Sequence, residues 1–183
     1  MGRAAKKIEW PLAMQILESL EKQGRKRELM MVALGLFSAY RCSDWSKLKW
    51  GDITDKIRVK EQKTGKIREV AIGDRLKQII ALCREDAHDD DFIFKPLRGG
   101  TGKTLATGGA IKILRAIGLE HGIPDLSSHS LRKTAAWRIY EMNGKDDHAL
   151  TLLGMMLNHT STATTRIYLG ITMDEINDIY LKL

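Results

Sequence analysis

The stretch LNHTSTATTRIYLGI, Leu157–Ile171, places one histidine and one tyrosine nine residues apart, His159 and Tyr168. Apolar residues at helical spacing predict one helix over Asp147–Leu157 and another over Ser161–Tyr168, with a short polar turn between them. Periodicity alone leaves Tyr168 with two readings, an aromatic on the inner face of a helix or a hydroxyl aimed at a reactant. The chain has four tyrosines, and helical pattern does not choose among Tyr40, Tyr140, Tyr168 and Tyr180.

Outward from this stretch the chain reads as mainly α with a small antiparallel β-sheet. Helices are expected over Ile8–Gln23, Arg27 to about Tyr40, Asp74 to about Ala87, Ala110–Glu120, Ser130–Met142 and Asp174–Leu183. The second, ELMMVALGLFSAY, is apolar nearly all round and should be the central buried helix. Three short β-candidates, Lys49–Ile53, Lys56–Gln62 and Ile67–Ile72, lie between the second and third helices. The turn KTGK joins the last two as a hairpin. A fourth extended piece, DFIF, precedes the glycine-rich stretch KPLRGGTGKTLATGG.

A length of 183 residues with 43% hydrophobic content supports one domain over 1–183, with residues 1–25 as an N-terminal extension and helix. No run of eighteen apolar residues is present and MGRAAKK is not followed by an apolar core and cleavage site, so a cytoplasmic location is expected. Cys42 and Cys83 match no metal-ligand spacing and read as reduced packing thiols; no metal and no cofactor is expected. The net charge of +7, with a pI near 9.4, favours an anionic partner, nucleic acid first. The acids of EDAHDDD should then face solvent away from it.

GGTGKT resembles the end of a phosphate-binding loop, but that motif requires a glycine five residues before Gly102, where Leu97 stands. A basic loop beside nucleic acid or solvent is the better reading. SHSLRKT sets His129 and Arg132 three apart near a helix N-terminus, where free amides and the helix dipole attract phosphate; a capping histidine and a solvated arginine would look the same. Arg41, in SAYRCSDWSKL, follows the apolar helix and is a phosphate ligand or a cation paired with Asp44. Lys63 stands at the tip of the basic hairpin EQKTGK.

Read in order, Arg41 in A-x-R-x-S-D, Lys63 in a hairpin, His129-x-x-Arg132, and His159 with Tyr168 nine later resemble the tyrosine recombinase (phage integrase) catalytic domain. The resemblance covers about Arg27 to Leu183. HSLRKT and LNHTSTATTRIYLGI are similar to that family's second and third signature boxes. Three departures stand out: Asp44 where the family often has Glu, Asn158 where it has glycine, and a longer segment between Arg132 and His159. Only about 25 residues precede the catalytic part, where the family carries a separate DNA-clamping domain, which implies a single-domain member or a piece of a longer one.

The resemblance implies double-stranded DNA as substrate, cleaved and rejoined by an integrase or resolvase of the kind found on mobile elements. Tyr168 would attack the scissile phosphate, forming a 3′-phosphotyrosyl link. Arg41 and Arg132 would grip the non-bridging oxygens, since planar guanidinium groups suit that geometry. His129 would be the base toward the tyrosine, His159 a hydrogen-bond donor to the phosphate, and Lys63 the acid for the leaving 5′-oxygen. The resemblance also implies a homo-tetramer on synapsed DNA, with the C-terminal helix packing on its own domain or on a neighbour. A non-catalytic DNA-binding regulator and a type IB topoisomerase-like nicking-closing enzyme share the fold. All six active-site positions are filled, which favours catalysis.

Overall fold

The computed structural model describes residues 5–63, 65–96, 104–171 and 180–181. Among the described residues are eight α-helices and one two-stranded antiparallel sheet, so the chain is mainly α with a small sheet. In order they are α1 (Trp10–Lys22), α2 (Lys26–Phe37), α3 (Cys42–Trp45), β1 (Lys56–Lys60), β2 (Ile67–Ala71), α4 (Asp74–Arg84), α5 (Thr107–Glu120), α6 (Ser128–Met142), α7 (Asp147–Leu157) and α8 (Thr162–Leu169).

α2 is the central helix because nothing along Leu29–Leu36 can face water: all eight residues are buried, and α1, α4, α5 and α6 pack around it. Gly35 sets how close α6 comes. A Cβ there would lie 2.7 Å from Leu131 Cδ1 and 2.9 Å from Leu131 Cβ, so α6 could not keep its place. Leu131 precedes Arg132, and this contact therefore fixes the depth at which the arginine enters. A second, smaller core gathers Ala135, Ala136 and Tyr140 of α6, Leu150, Leu153 and Leu157 of α7, and Leu169 of α8. α6 contributes to both.

β1 and β2 pair from Lys56↔Ala71 to Lys60↔Ile67, with Gly65 at φ +68° in the turn. Lys56 to Glu61 alternate outward and inward, so Ile57, Val59 and Glu61 point into the protein. The Tyr40 hydroxyl lies 2.9 Å from the carbonyl oxygen of Ile57 and 2.7 Å from that of Arg68, donating between both strands.

The expected strand Lys49–Ile53 is instead a 3₁₀ turn, Trp50–Asp52, flanked by single bridges from Lys49 to Phe92 and from Ile53 to Ile57. The Asp52 carboxylate accepts from the Lys49 amide at 2.8 Å and closes the turn. DFIF is an extended piece that contributes that one bridge, made by bonds from Trp50 N to Asp91 O and from Ile93 N to Leu48 O, rather than a longer strand. α5 starts three residues before the expected Ala110, and α6 starts at Ser128 with Ser127 as its cap. α4 stops at Arg84, because Glu85 takes φ +46°. Residues 97–103 of the glycine-rich stretch, and the expected helix Asp174–Leu183 apart from Tyr180 and Leu181, lie outside the described residues.

Cys42 is buried and Cys83 half-buried; both are free thiols, and burial pushes each up to about 11, which keeps them protonated. No helix among the described residues is long and apolar enough to cross a membrane.

Candidate active site

Ser161 caps α8, its hydroxyl accepting from the Thr164 amide at 3.2 Å, and the helix then carries Tyr168 to the edge of the second core. The Tyr168 side chain is half-buried, yet its hydroxyl oxygen is fully shielded and has no hydrogen-bond partner among the described residues. Burial raises the phenol's pKa, and the Arg132 guanidinium beside it, then that of Arg41, oppose the rise. The ring meets His159 edge to face, centroids 5.2 Å apart and planes at 68°. His159 Nδ1 lies 3.1 Å from the hydroxyl of Thr165, itself buried one helical turn before Tyr168.

Asn158 ends α7 in the left-handed region at φ +56°, a conformation that favours glycine and that asparagine tolerates. The turn that follows delivers His159. Its pKa is lowered by burial first, then by Arg132 and Arg41, so the ring is neutral at neutral pH.

Arg132 is 2% exposed and its acceptors are main-chain carbonyls. Nη1 donates to Ala39 O at 2.5 Å and Nη2 to Leu157 O at 3.2 Å. Burial lowers its pKa to about 10, which leaves it charged at neutral pH. Arg41 caps α3 from outside the helix, and its guanidinium lies 3.0 Å from the carboxylate of Glu61, which is fully buried. Asp44, the partner in one of the two readings of Arg41, does something else. Its Oδ1 accepts from the Gln62 amide at 3.0 Å and the Ser43 hydroxyl at 3.3 Å, because a carboxylate on a four-residue helix reaches the neighbouring turn before it reaches back to the cap.

Lys63 is exposed in the β1–β2 turn, close enough to both histidines to lower their pKa values. His129, second residue of α6, is open to solvent, but neighbouring atoms crowd its ring. That desolvation, then Arg132, Arg41 and Lys63, hold it below the usual histidine value. Ser127, not His129, caps the helix. All six expected residues thus surround one place, between the hairpin, the N-terminus of α6 and the α7–α8 turn.

Glu61, Arg68 and Thr165 were not among the expected residues. Arg68 lies under the hairpin with its guanidinium 3.9 Å from the centroid of the Tyr40 ring, donating to Ser38 O, to Ala39 O at 3.4 Å and to Met156 O at 3.0 Å. The strand alternation that makes Glu61 face inward was the available signal.

A helical domain that sets a shielded tyrosine hydroxyl among two arginines and two histidines, beneath a lysine-bearing hairpin, is built for chemistry on a phosphate. The chain belongs to the phage integrase family, whose family model matches residues 6–175. It is 32% identical over 157 residues to the probable integrase/recombinase YoeC of Bacillus subtilis (strain 168), covering 85% of this chain and 83% of that one. The fold is shared with the XerA recombinase (TM-score 0.74, 22% identity, 100% of this chain and 66% of that one). It is also shared with the XerH site-specific recombinase bound to its difH substrate (TM-score 0.71, 21% identity, 98% of this chain and 55% of that one).

Proposed function

We propose that this chain is a site-specific DNA recombinase whose nucleophile is Tyr168. Family membership makes it an enzyme that breaks and rejoins DNA strands; the roles of the individual residues are inferred from their positions. The observation that carries the assignment is the Tyr168 hydroxyl, shielded and without a partner, beside Arg132, Arg41 and His159.

A buried phenol with a raised pKa is a poor nucleophile until something takes its proton and something stabilises the charge it creates. His129, held neutral, is able to take the proton. Arg41 and Arg132 grip the non-bridging oxygens, and His159 donates to them through Nε2 when Nδ1 accepts from Thr165. The Tyr168 Oη–P bond forms and the P–O5′ bond breaks. The leaving 5′-oxygen receives its proton from Lys63, which the exposed turn carries to bound DNA. The reverse sequence with a different 5′-hydroxyl completes strand exchange. The phosphodiester energy is kept in the phosphotyrosyl link, so the cycle needs no ATP.

Two such exchanges require paired sites, and we propose a homo-tetramer on synapsed DNA. We also propose that the chain works as one catalytic domain, since α6 belongs to both cores and carries Arg132 between them. The test is capture: purified protein is mixed with labelled duplexes of randomised sequence and denatured. A covalent protein–DNA adduct is expected from wild type and absent from Tyr168→Phe. No adduct from any duplex refutes the assignment.

A further inference from the structure

The Glu61 carboxylate is an acid in a place the strand alternation reserves for an apolar side chain. It is 0% exposed, immediately after β1 and two residues before Lys63. Its surroundings come from three separate parts of the fold. Oε2 lies 3.0 Å from Arg41 Nη1 and accepts from the Asn158 amide at 3.1 Å; Oε1 lies 3.7 Å from Arg68 Nη1. The same carboxylate raises the pKa of Arg132 against the repulsion of Arg41 and Arg68. Burying a carboxylate this deeply costs far more than burying a leucine, and an ion pair replaced by apolar side chains is often neutral or stabilising. Packing alone therefore gives no reason for a glutamate here.

Geometry gives one. Arg41 must present its fork to a phosphate at a fixed angle, His159 must follow Asn158 in a fixed turn, and Lys63 must leave the hairpin toward the same phosphate. Glu61 touches the first, touches the residue before the second, and is two residues from the third. We propose that Glu61 is the positioning residue of this active site. It orients Arg41 on a non-bridging oxygen and, through the Asn158 amide, ties the hairpin turn to the His159 turn. The proposal rests on the recombinase reading above. Asn158 fits it: in place of the family's glycine it keeps the left-handed backbone and adds the amide that reaches Glu61.

The test is the single-turnover rate of adduct formation on a duplex that wild type cleaves. It is run beside the same duplex with a methyl group in place of the non-bridging oxygen that faces Arg41. Glu61→Gln, which keeps the size of the side chain, is expected to slow cleavage of the ordinary phosphate roughly ten- to hundred-fold through misorientation of the arginine. On the methylated phosphate, where Arg41 has lost its target, the two proteins should react within about two-fold of each other. Asn158→Gly keeps the backbone and serves if Glu61→Gln does not fold; without the amide that shares its Oε2, Glu61 holds Arg41 less firmly, and the variant should be slower by roughly two- to ten-fold on the ordinary phosphate only. Equal rates for wild type and variant on ordinary DNA overturn the proposal. So does an equal loss on both substrates, which marks a structural role only. If wild type itself forms no Tyr168-dependent adduct, the recombinase reading has failed and this inference falls with it.

Discussion

The His159 ring stands edge-on to the Tyr168 phenol, centroids 5.2 Å apart and planes at 68°. Each ring thereby limits the other's rotation. The histidine is also held by Thr165, on the tyrosine's own helix. The nine-residue spacing between them follows from one turn and two turns of helix folding back on the first ring.

Tyr168→Phe should abolish the covalent adduct while leaving the fold intact or firmer. The hydroxyl is shielded and has no hydrogen-bond partner, and an unsatisfied buried polar group costs about 1–3 kcal/mol. Chemical denaturation should therefore show the variant at least as stable as wild type, in the direction of a function held at the expense of stability. A large fall in stability would mean that the hydroxyl has a structural partner.

The histidines predict the acid limb. Both have folded pKa values below the ordinary 6.5, His129 and His159 alike, from burial and then from Arg132 and Arg41. The unfolded chain therefore takes up protons first as pH falls. Their contribution to stability is complete above 6.5 and is lost progressively on the way down to the folded values. Adduct formation should stay level from neutral pH to below 6.5 and then decline as His129 gains the proton that blocks its role as base. Histidine ring resonances followed by NMR in the free protein give both midpoints directly; values above 6.5 would contradict the burial seen here.

Lys63→Ala should fold normally, since the side chain is exposed. If Lys63 supplies the leaving-group proton, cleavage of ordinary DNA should drop by roughly 10²–10⁴-fold. Replacing the bridging 5′-oxygen by sulfur should restore the rate, because a thiol with a pKa of about 8.5 leaves without an acid. Persistence of the defect on the sulfur substrate would assign Lys63 to DNA binding instead.

Thr165→Val keeps the buried volume but removes the group that faces His159 Nδ1. Adduct formation should fall by roughly ten-fold, and Thr165→Ser should recover most of it. Gly154 permits this arrangement: a Cβ there would lie 3.1 Å from the Thr165 hydroxyl oxygen. Gly154→Ala should therefore show a milder form of the same defect.

The helices were legible where their apolar spacing was regular, as in α2 and α7, and so was the hairpin; the six residues set in order along the chain come near one another in the fold. The strand expected at Lys49–Ile53 was misread because alternation cannot detect that Asp52 closes a turn on the Lys49 amide. The early start of α5 was hidden by Gly108 and Gly109, which weaken a helix in isolation but sit here in its first turn. Arg41 was legible as a partnered cation but not its partner. Asp44 is three residues away in sequence and Glu61 twenty, and only the fold brings the distant one nearer. Arg68 was invisible because its acceptors are carbonyls, which no side-chain pattern reports.

Arg132 is anchored the same way, by the carbonyls of Ala39 and Leu157. A carbonyl is supplied by whatever residue occupies the position, so mutation at those sites changes the side chain without removing the anchor. Only the backbone path must persist, including the left-handed turn at Ala39, φ +50°. A cleavage centre built on such anchors can drift widely in sequence around its few reactive groups and keep its aim.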